Sequence, residues 1–339
     1  MYITLKNPIL SICIATYNRS RYISVTLDSI VLQLSEQVEI VIVDGNSTDN
    51  TKEVVESYEA RGLVRYIRLP EKGGVDQDYC KAVEHAQGEY CWLFTDDDLM
   101  LPGAIDAALK EIKNKYSLIV VNSKLMNVDF SEKIADKLIQ IENNEIYAFS
   151  EMNQLFRRCI TYMSFIGCVI IQRDLWMRRD KQTYFGTEFI HLGVIFQEPL
   201  PGESLIIAEP YIAIRYGNAQ WSPRAFEIGV LKWPSLLLSF KNISKQEKEG
   251  CGCTKPWHLM RSIVMFRAKN HYSIKEYIKF IAPNQYPLWW KGGAFIVSLF
   301  PVTLLNLFIL SYLMTLRRDK RIAIHDLKSS LQNQCKNFR

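Results

Sequence analysis

The sequence has no long apolar stretch at its start. Met1–Pro8 is mixed, and the first apolar run, Ile9–Ala15, is short and leads straight into Thr16-Tyr17-Asn18-Arg19, so no secretory leader is expected. It lacks a Gly-x-Gly-x-x-Gly turn, which argues against a dinucleotide oxidoreductase. There is no internal repeat and no low-complexity segment. The eight cysteines show no disulfide-framework spacing and sit mostly in apolar segments, the pattern of a reducing cytosol. Cys251-Gly252-Cys253 with His258 offers half of a zinc site, but no second ligand pair follows at finger spacing, so a loop with incidental thiols is expected. Net charge is nearly missing too. The total of +5 is matched by residues 317–339, where seven Lys/Arg face Asp319 and Asp326, leaving the rest of the chain neutral. A basic tail placed directly after an apolar run points to an anionic membrane surface rather than nucleic acid.

What is present begins with ample core. The 339 residues are 48% apolar and 23% charged, enough for two domains or one large α/β domain with an appendage. The first hundred residues alternate between strand and helix patterns. Strands are expected at Ile9–Ala15, Val38–Val43, Val64–Leu69 and Tyr90–Phe94, and helices at Arg19–Leu34, Thr51–Tyr58, Val75–Ala86 and Pro102–Leu109. Asn50 and Glu53 have capping-pair spacing at the second helix. This alternation predicts a largely parallel sheet covered by helices on both faces.

The most informative stretch is Gly88–Pro102, where a short apolar run ends in Asp96-Asp97-Asp98. Three clustered carboxylates repel one another unless a cation or a proton compensates, so Mg²⁺ or Mn²⁺ chemistry is the functional reading; the bland one is a solvated acidic turn. An EF-hand is excluded, because its central Gly and terminal Glu are missing. If the strands are parallel, three loops open on one sheet edge: Thr16–Arg19, Asp44–Asp49 and the aspartates. Together they offer hydroxyls, an aromatic ring, a lone carboxylate and a metal site, a combination suited to a nucleotide diphosphate. Tyr17 can pack on a base and Asp44 can accept a hydrogen bond from base or ribose.

Three segments resemble family 2 glycosyltransferases, which have the nucleotide-diphospho-sugar transferase (GT-A) fold: Ser11–Arg19, Glu39–Asp49 and Ala86–Tyr90 leading into Thr95–Asp98. The likeness is specific over about the first 110 residues. It implies that Thr16, Tyr17, Asn18, Arg19, Asp44 and Asp76 line the nucleotide pocket, that Asp96 lies near ribose or sugar, and that Asp97, with Asp98, ligates Mg²⁺ or Mn²⁺. Thr95 stands where the family commonly has an aspartate. Lys72–Asp78, KGGVDQD, departs from the commoner Asn-x-Gly pattern and looks like the abequosyltransferase branch of bacterial O-antigen synthesis.

Phe165–Ile171 followed by Gln172–Trp176 is similar to the family's later strand and helix. Glu188 is the expected base that takes the acceptor hydroxyl's proton, since an acidic residue at the start of this helix does so in similar enzymes. His191, one turn on, is expected to face the same cleft and touch metal or diphosphate. An Asp-nucleophile phosphatase is the competing enzyme reading of Val43–Thr48; it wants a second aspartate where Asn46 stands. A non-catalytic membrane adaptor is the other alternative.

Gly292–Leu316 carries no charged residue, follows Trp289-Trp290-Lys291 and ends in the Arg317–Arg321 basic cluster. Pro301 and Asn306 interrupt it, and a single crossing would separate the basic tail from a cytosolic catalytic domain. A re-entrant or in-plane element with both ends cytosolic fits better. The expected organisation is a GT-A catalytic domain at 1–220, with a nucleotide half 1–115 and an acceptor half 116–220, a helical extension at 221–285, and an apolar segment with a basic tail at 286–339. The expected activity is transfer from a nucleotide sugar to a saccharide acceptor, lipid-linked, at the cytoplasmic face of the bacterial inner membrane.

Overall fold

The computed structural model describes residues 8–251 and 256–337, with side chains described for 8–251 and 259–332. Cys253, His258 and Cys335 therefore lie outside the described side chains. The chain divides into two compact units, Met1–Gly217 with Phe240–Ser244, and Asn218–Ser239 with Lys245–Arg339.

The first unit is a mixed sheet with flanking helices, the GT-A architecture. Strands β1 (Leu10–Thr16), β2 (Val38–Asp44), β3 (Arg65–Arg68) and β4 (Tyr90–Phe94) run parallel in the order β3-β2-β1-β4. β1, β2 and β4 are almost wholly buried, as expected of strands covered on both faces. Between them lie α1 (Ile23–Val31), α2 (Thr51–Glu59) and α3 (Val75–His85). α1 shows how sequence sets packing: Ile23, Thr26, Leu27 and Ile30 recur at helical spacing and are the residues it buries.

After β4 the chain makes a short strand β5 (Leu99–Met100), helix α4 (Ala104–Ile112) and strand β6 (Leu118–Met126). Small strands β7 (Lys133–Ala135) and β8 (Glu145–Tyr147) precede α5 (Met152–Cys159), β9 (Val169–Gln172), α6 (Arg173–Arg178), α7 (Ile190–Phe196) and β10 (Ser204–Arg215). β9 is antiparallel to both β4 and β6, and β10 is parallel to β6. Three boundaries depart from expectation. The helix expected from Pro102 begins after Gly103, a left-handed residue at φ 82, because Leu99–Met100 pairs with β10 first. The strand expected from Phe165 starts at Val169, after two turns. The helix expected from Arg19 starts at Ile23, because Arg19 and Ser20 are tied to the β2 loop.

The second unit is helical. Phe226, Val230, Ile263, Tyr272, Ile281, Trp290 and Ala294 form its core, each buried side chain of the larger kind contributing about 1.5–3 kcal/mol. Helices Leu288–Leu299 and Val302–Leu316 meet at a 99° bend, and no single helix among the described residues is long and apolar enough to cross a membrane. The bend falls at Phe300-Pro301, where proline removes a donor and disfavours helix in the residue before it. Trp290 is a core residue rather than an interfacial anchor, whereas Trp289 is 68% exposed.

Candidate active site

The ends of β1 and β2 are stitched together by short side chains. Asn18 sits in the left-handed region at φ 54, which a small polar residue tolerates, and its Oδ1 accepts from Thr48 N–H at 2.8 Å. Asn18 N–H donates to Ser47 Oγ, and Arg19 N–H to Thr51 Oγ1. Asp49 is the hub: Oδ1 accepts from the Thr51 N–H and hydroxyl, Oδ2 from those of Ser20. These bonds hold its carboxyl below the usual range against the opposing effect of burial. Asp49 therefore does the capping expected of the Asn50/Glu53 pair; Asn50 makes no side-chain cap bond.

Asp44 ends β2 opposite Thr16, in register and 0% exposed. Its Oδ1 accepts from the Ser47 N–H and hydroxyl at 2.8 and 2.7 Å, and its Oδ2 from the Tyr66 hydroxyl at 2.6 Å. Asp44 thus shapes the loop from within, its two oxygens tied to Ser47 and Tyr66. The same burial removes it as a phosphatase nucleophile. Tyr17 remains half-buried on the loop surface, with the Lys72 ammonium 3.7 Å from its ring centroid.

The aspartates follow β4 directly. Arg19 spans two of them, with Nε 3.3 Å from Asp96 Oδ1 and Nη2 3.1 Å from Asp97 Oδ2. Burial, reinforced by the Asp97 charge, pushes Asp96 up to about 7 despite Arg19. Asp98 turns inward, 2% exposed, accepting from the Thr95 hydroxyl and, at 2.7 Å, from Arg215 N–H. Burial raises its pKa well above the carboxylate range. Arg215 was not legible as a site residue. From the end of β10 it donates through Nε to the Asp97 carbonyl, and its guanidinium lies over the Tyr22 and Phe130 rings.

Glu188 does not start a helix. It stands before α7 at φ 71, in a turn held by Asp76, whose oxygens accept from Glu188 N–H and Ile190 N–H, both at 3.0 Å. Asp76 is thus a buried anchor of this turn, and burial raises its pKa. One turn further along α3, the Tyr79 hydroxyl donates to the Phe94 carbonyl at the end of β4. Asp76 thus ties the Glu188 turn to α3, and Tyr79 ties α3 to the end of β4. His191 lies in the core, its Nε2 2.6 Å from the Met163 carbonyl and its ring pushed down to about 4 by burial. It is a neutral packing residue, which corrects its expected contact with metal or diphosphate.

The donor set decides how a divalent cation fits. Among the described residues no group of three His, Cys, Asp or Glu is placed to hold a metal. Asp96 and Asp97, however, form a buried pair whose negative charge Arg19 offsets incompletely. One or two carboxylates completed by substrate phosphates are what Mg²⁺ uses, so this pair suits it, without Asp98 or His191.

Residues 11–176 match the family model Glycosyl transferase family 2. The chain carries a family 2 glycosyltransferase domain. That domain is similar to abequosyltransferase RfbV of Salmonella typhimurium, 26% identical over 234 residues, 62% of this chain and 67% of the relative. It also resembles the GalNAc(5)-diNAcBac-PP-undecaprenol beta-1,3-glucosyltransferase of Campylobacter jejuni, 26% identical over 41% of this chain and 47% of the relative. Glycosyltransferase GlyG of Streptococcus pneumoniae is matched over only 38% of its length. In fold, the chain is similar to S. aureus TarS 1-349 in complex with UDP-GlcNAc, TM-score 0.55 at 16% identity, covering 97% and 92% of the two chains. The Pyrobaculum calidifontis mannosyltransferase PcManGT in complex with GDP-Man and Mn²⁺ gives TM-score 0.54 at 15% identity, covering 98% and 88%.

Proposed function

We propose that the chain transfers a hexosyl or dideoxyhexosyl group from a nucleotide-diphosphate sugar to a lipid-linked saccharide in bacterial surface-polysaccharide synthesis. The observation that carries this is the convergence of the β1, β2 and β4 loops on one sheet edge, with Arg19 of the first bridging Asp96 and Asp97 of the third. The likeness to an O-antigen abequosyltransferase supports the class of sugar, and the relative named for an undecaprenol-linked substrate supports the acceptor.

In this reading Asp97, with Asp96, holds Mg²⁺ or Mn²⁺, which when bound neutralises charge on the leaving diphosphate. Tyr17 receives the base. Glu188 takes the proton of the acceptor hydroxyl as its oxygen bonds to the anomeric carbon and the bond from that carbon to the diphosphate oxygen breaks. Arg215 keeps the aspartate loop in place from β10.

Membrane association is the second part of the proposal. In the bent helix pair the polar residue faces in: Asn306 is buried and donates to the carbonyls of Ala268 and Leu327. Many of the pair's large apolar residues, unlike Trp290 and Leu313, face out. Leu288, Trp289, Ile296 and Leu299 are exposed on one helix, and Leu304, Leu307, Phe308, Tyr312 and Leu316 on the other. An inverted helix pair beside Arg317, Arg318, Lys320 and Arg321 suits an anionic leaflet, lying in the interface with both ends on the cytoplasmic side. The deciding experiment supplies purified protein with a panel of nucleotide sugars and Mg²⁺ or Mn²⁺ and follows diphosphate release. Absence of release with every donor, with and without membrane extract as acceptor source, would overturn the transferase reading.

A further inference from the structure

One carboxyl near the nucleotide loops has no partner. Asp78, on the first turn of α3, is 4% exposed, and its Oδ1 is cut off from solvent without any hydrogen bond. Such an atom is costly to bury and is expected where an incoming donor completes it. Its surroundings are built around it. A side-chain carbon added at Gly45, in the β2 loop, would meet Asp78 Oδ2 at 2.8 Å, and one at Gly73 would meet Oδ1 at 3.0 Å. The same point at Gly45 lies 3.7 Å from the Tyr17 ring. Two positions without side chains, an aromatic ring and the Lys72 ammonium over that ring therefore enclose the carboxyl. Burial raises Asp78 to about 6 while Lys72 opposes the rise, so at neutral pH it is chiefly ionised and accepts only. Asp44, the other carboxylate here, has both oxygens engaged.

We propose that Asp78 reads the nucleobase of the donor, its carboxylate accepting an N–H from the hydrogen-bonding edge of a base whose face packs on Tyr17. This rests on the reading of the chain as a nucleotide-sugar transferase. It assigns base selection to α3 and leaves Asp44 as the residue that shapes the loop beneath. The ligand class is a nucleoside diphosphate whose base presents an N–H donor toward Asp78.

The test is calorimetric titration of the full-length protein with UDP, CDP, GDP and ADP in Mg²⁺, with magnesium pyrophosphate as a ligand lacking a base. The wild type is expected to favour one of the four, and Asp78→Asn to weaken that one at least tenfold, narrow the spread among the four and leave pyrophosphate unchanged. Gly45→Ala, which pushes a methyl group against the carboxyl, should narrow the spread in the same way and serves if Asp78→Asn does not fold. Unchanged ranking and affinities in a folded variant would overturn the assignment, as would an equal loss of all four and of pyrophosphate. A wild type that binds none of the four defeats the transferase reading itself, a result distinct from a failure of base reading alone.

Discussion

Asp76 and Glu188 stand 112 residues apart and are joined by a hydrogen bond of 3.0 Å from Glu188 N–H to Asp76 Oδ2. Glu188 occupies a backbone conformation unfavourable to a side chain of its size, and this bond, with the one from Ile190 N–H, holds it there. Removing the acceptor leaves two N–H groups unsatisfied, at about 1–3 kcal/mol each. Asp76→Ala is accordingly expected to lower Tm by several degrees and to reduce kcat more than donor KM. A variant with wild-type kcat would mean that the turn needs no such anchor.

Glu188→Gln keeps the size and shape of the side chain but cannot take a proton. Donor binding is expected to persist while transfer falls by about 10²–10⁴, the usual contribution of a general base. Single-turnover measurements with acceptor present separate these effects, and normal turnover would move the base elsewhere.

Asp97→Ala removes one of the two carboxylates proposed to hold the cation. Loss of transfer is expected with an unchanged circular dichroism spectrum, together with loss of wild-type activity in chelator. Full activity of the variant in chelator would contradict the role given to the acidic pair.

His191 supplies a pH signature. Its folded value near 4 lies below the unfolded value of 6.5, so the unfolded chain binds a proton that the folded chain refuses. Its contribution is present above pH 6.5 and is lost as pH falls toward 4, about 3 kcal/mol in all by the conversion of 1.36 kcal/mol per unit. Denaturant titrations from pH 7.5 to 4.5 should show a shallower acid loss in His191→Gln than in the wild type. Equal slopes would mean that the ring titrates normally.

The outward apolar face is tested without disturbing the core. Changing Leu304, Leu307 and Phe308 to Gln should abolish flotation with anionic liposomes and leave Tm within a few degrees, since all three are exposed. Neutralising Arg317, Arg318, Lys320 and Arg321 should weaken flotation by about 1 kcal/mol per residue and make it less salt-sensitive. Flotation unaffected by both sets would leave that face without a lipid partner.

The sequence by itself determined the first four strands and the helices between them. Apolar runs buried on both faces, helical stripes such as Ile23-Thr26-Leu27-Ile30, and acidic or hydroxyl residues at strand ends are local signals that survive folding because neighbours in the chain make the element. It also marked Tyr17, Arg19, Asp96 and Asp97 as residues of one sheet edge. Tertiary structure decided which carboxylates are offered and which are spent. Asp44, Asp76 and Asp98 have the same chemistry as Asp97, but Tyr66, Glu188 N–H and Arg215 N–H reach them from 22, 112 and 117 residues away. The same holds for His191, whose helical spacing from Glu188 is legible while the Met163 carbonyl that claims its ring is not. Whether a polar side chain meets solvent, ligand or another part of its own chain depends on contacts between residues far apart in sequence. Those contacts leave no periodic trace, and Asp78 shows the converse: a carboxyl that the fold buries and leaves without a partner at Oδ1.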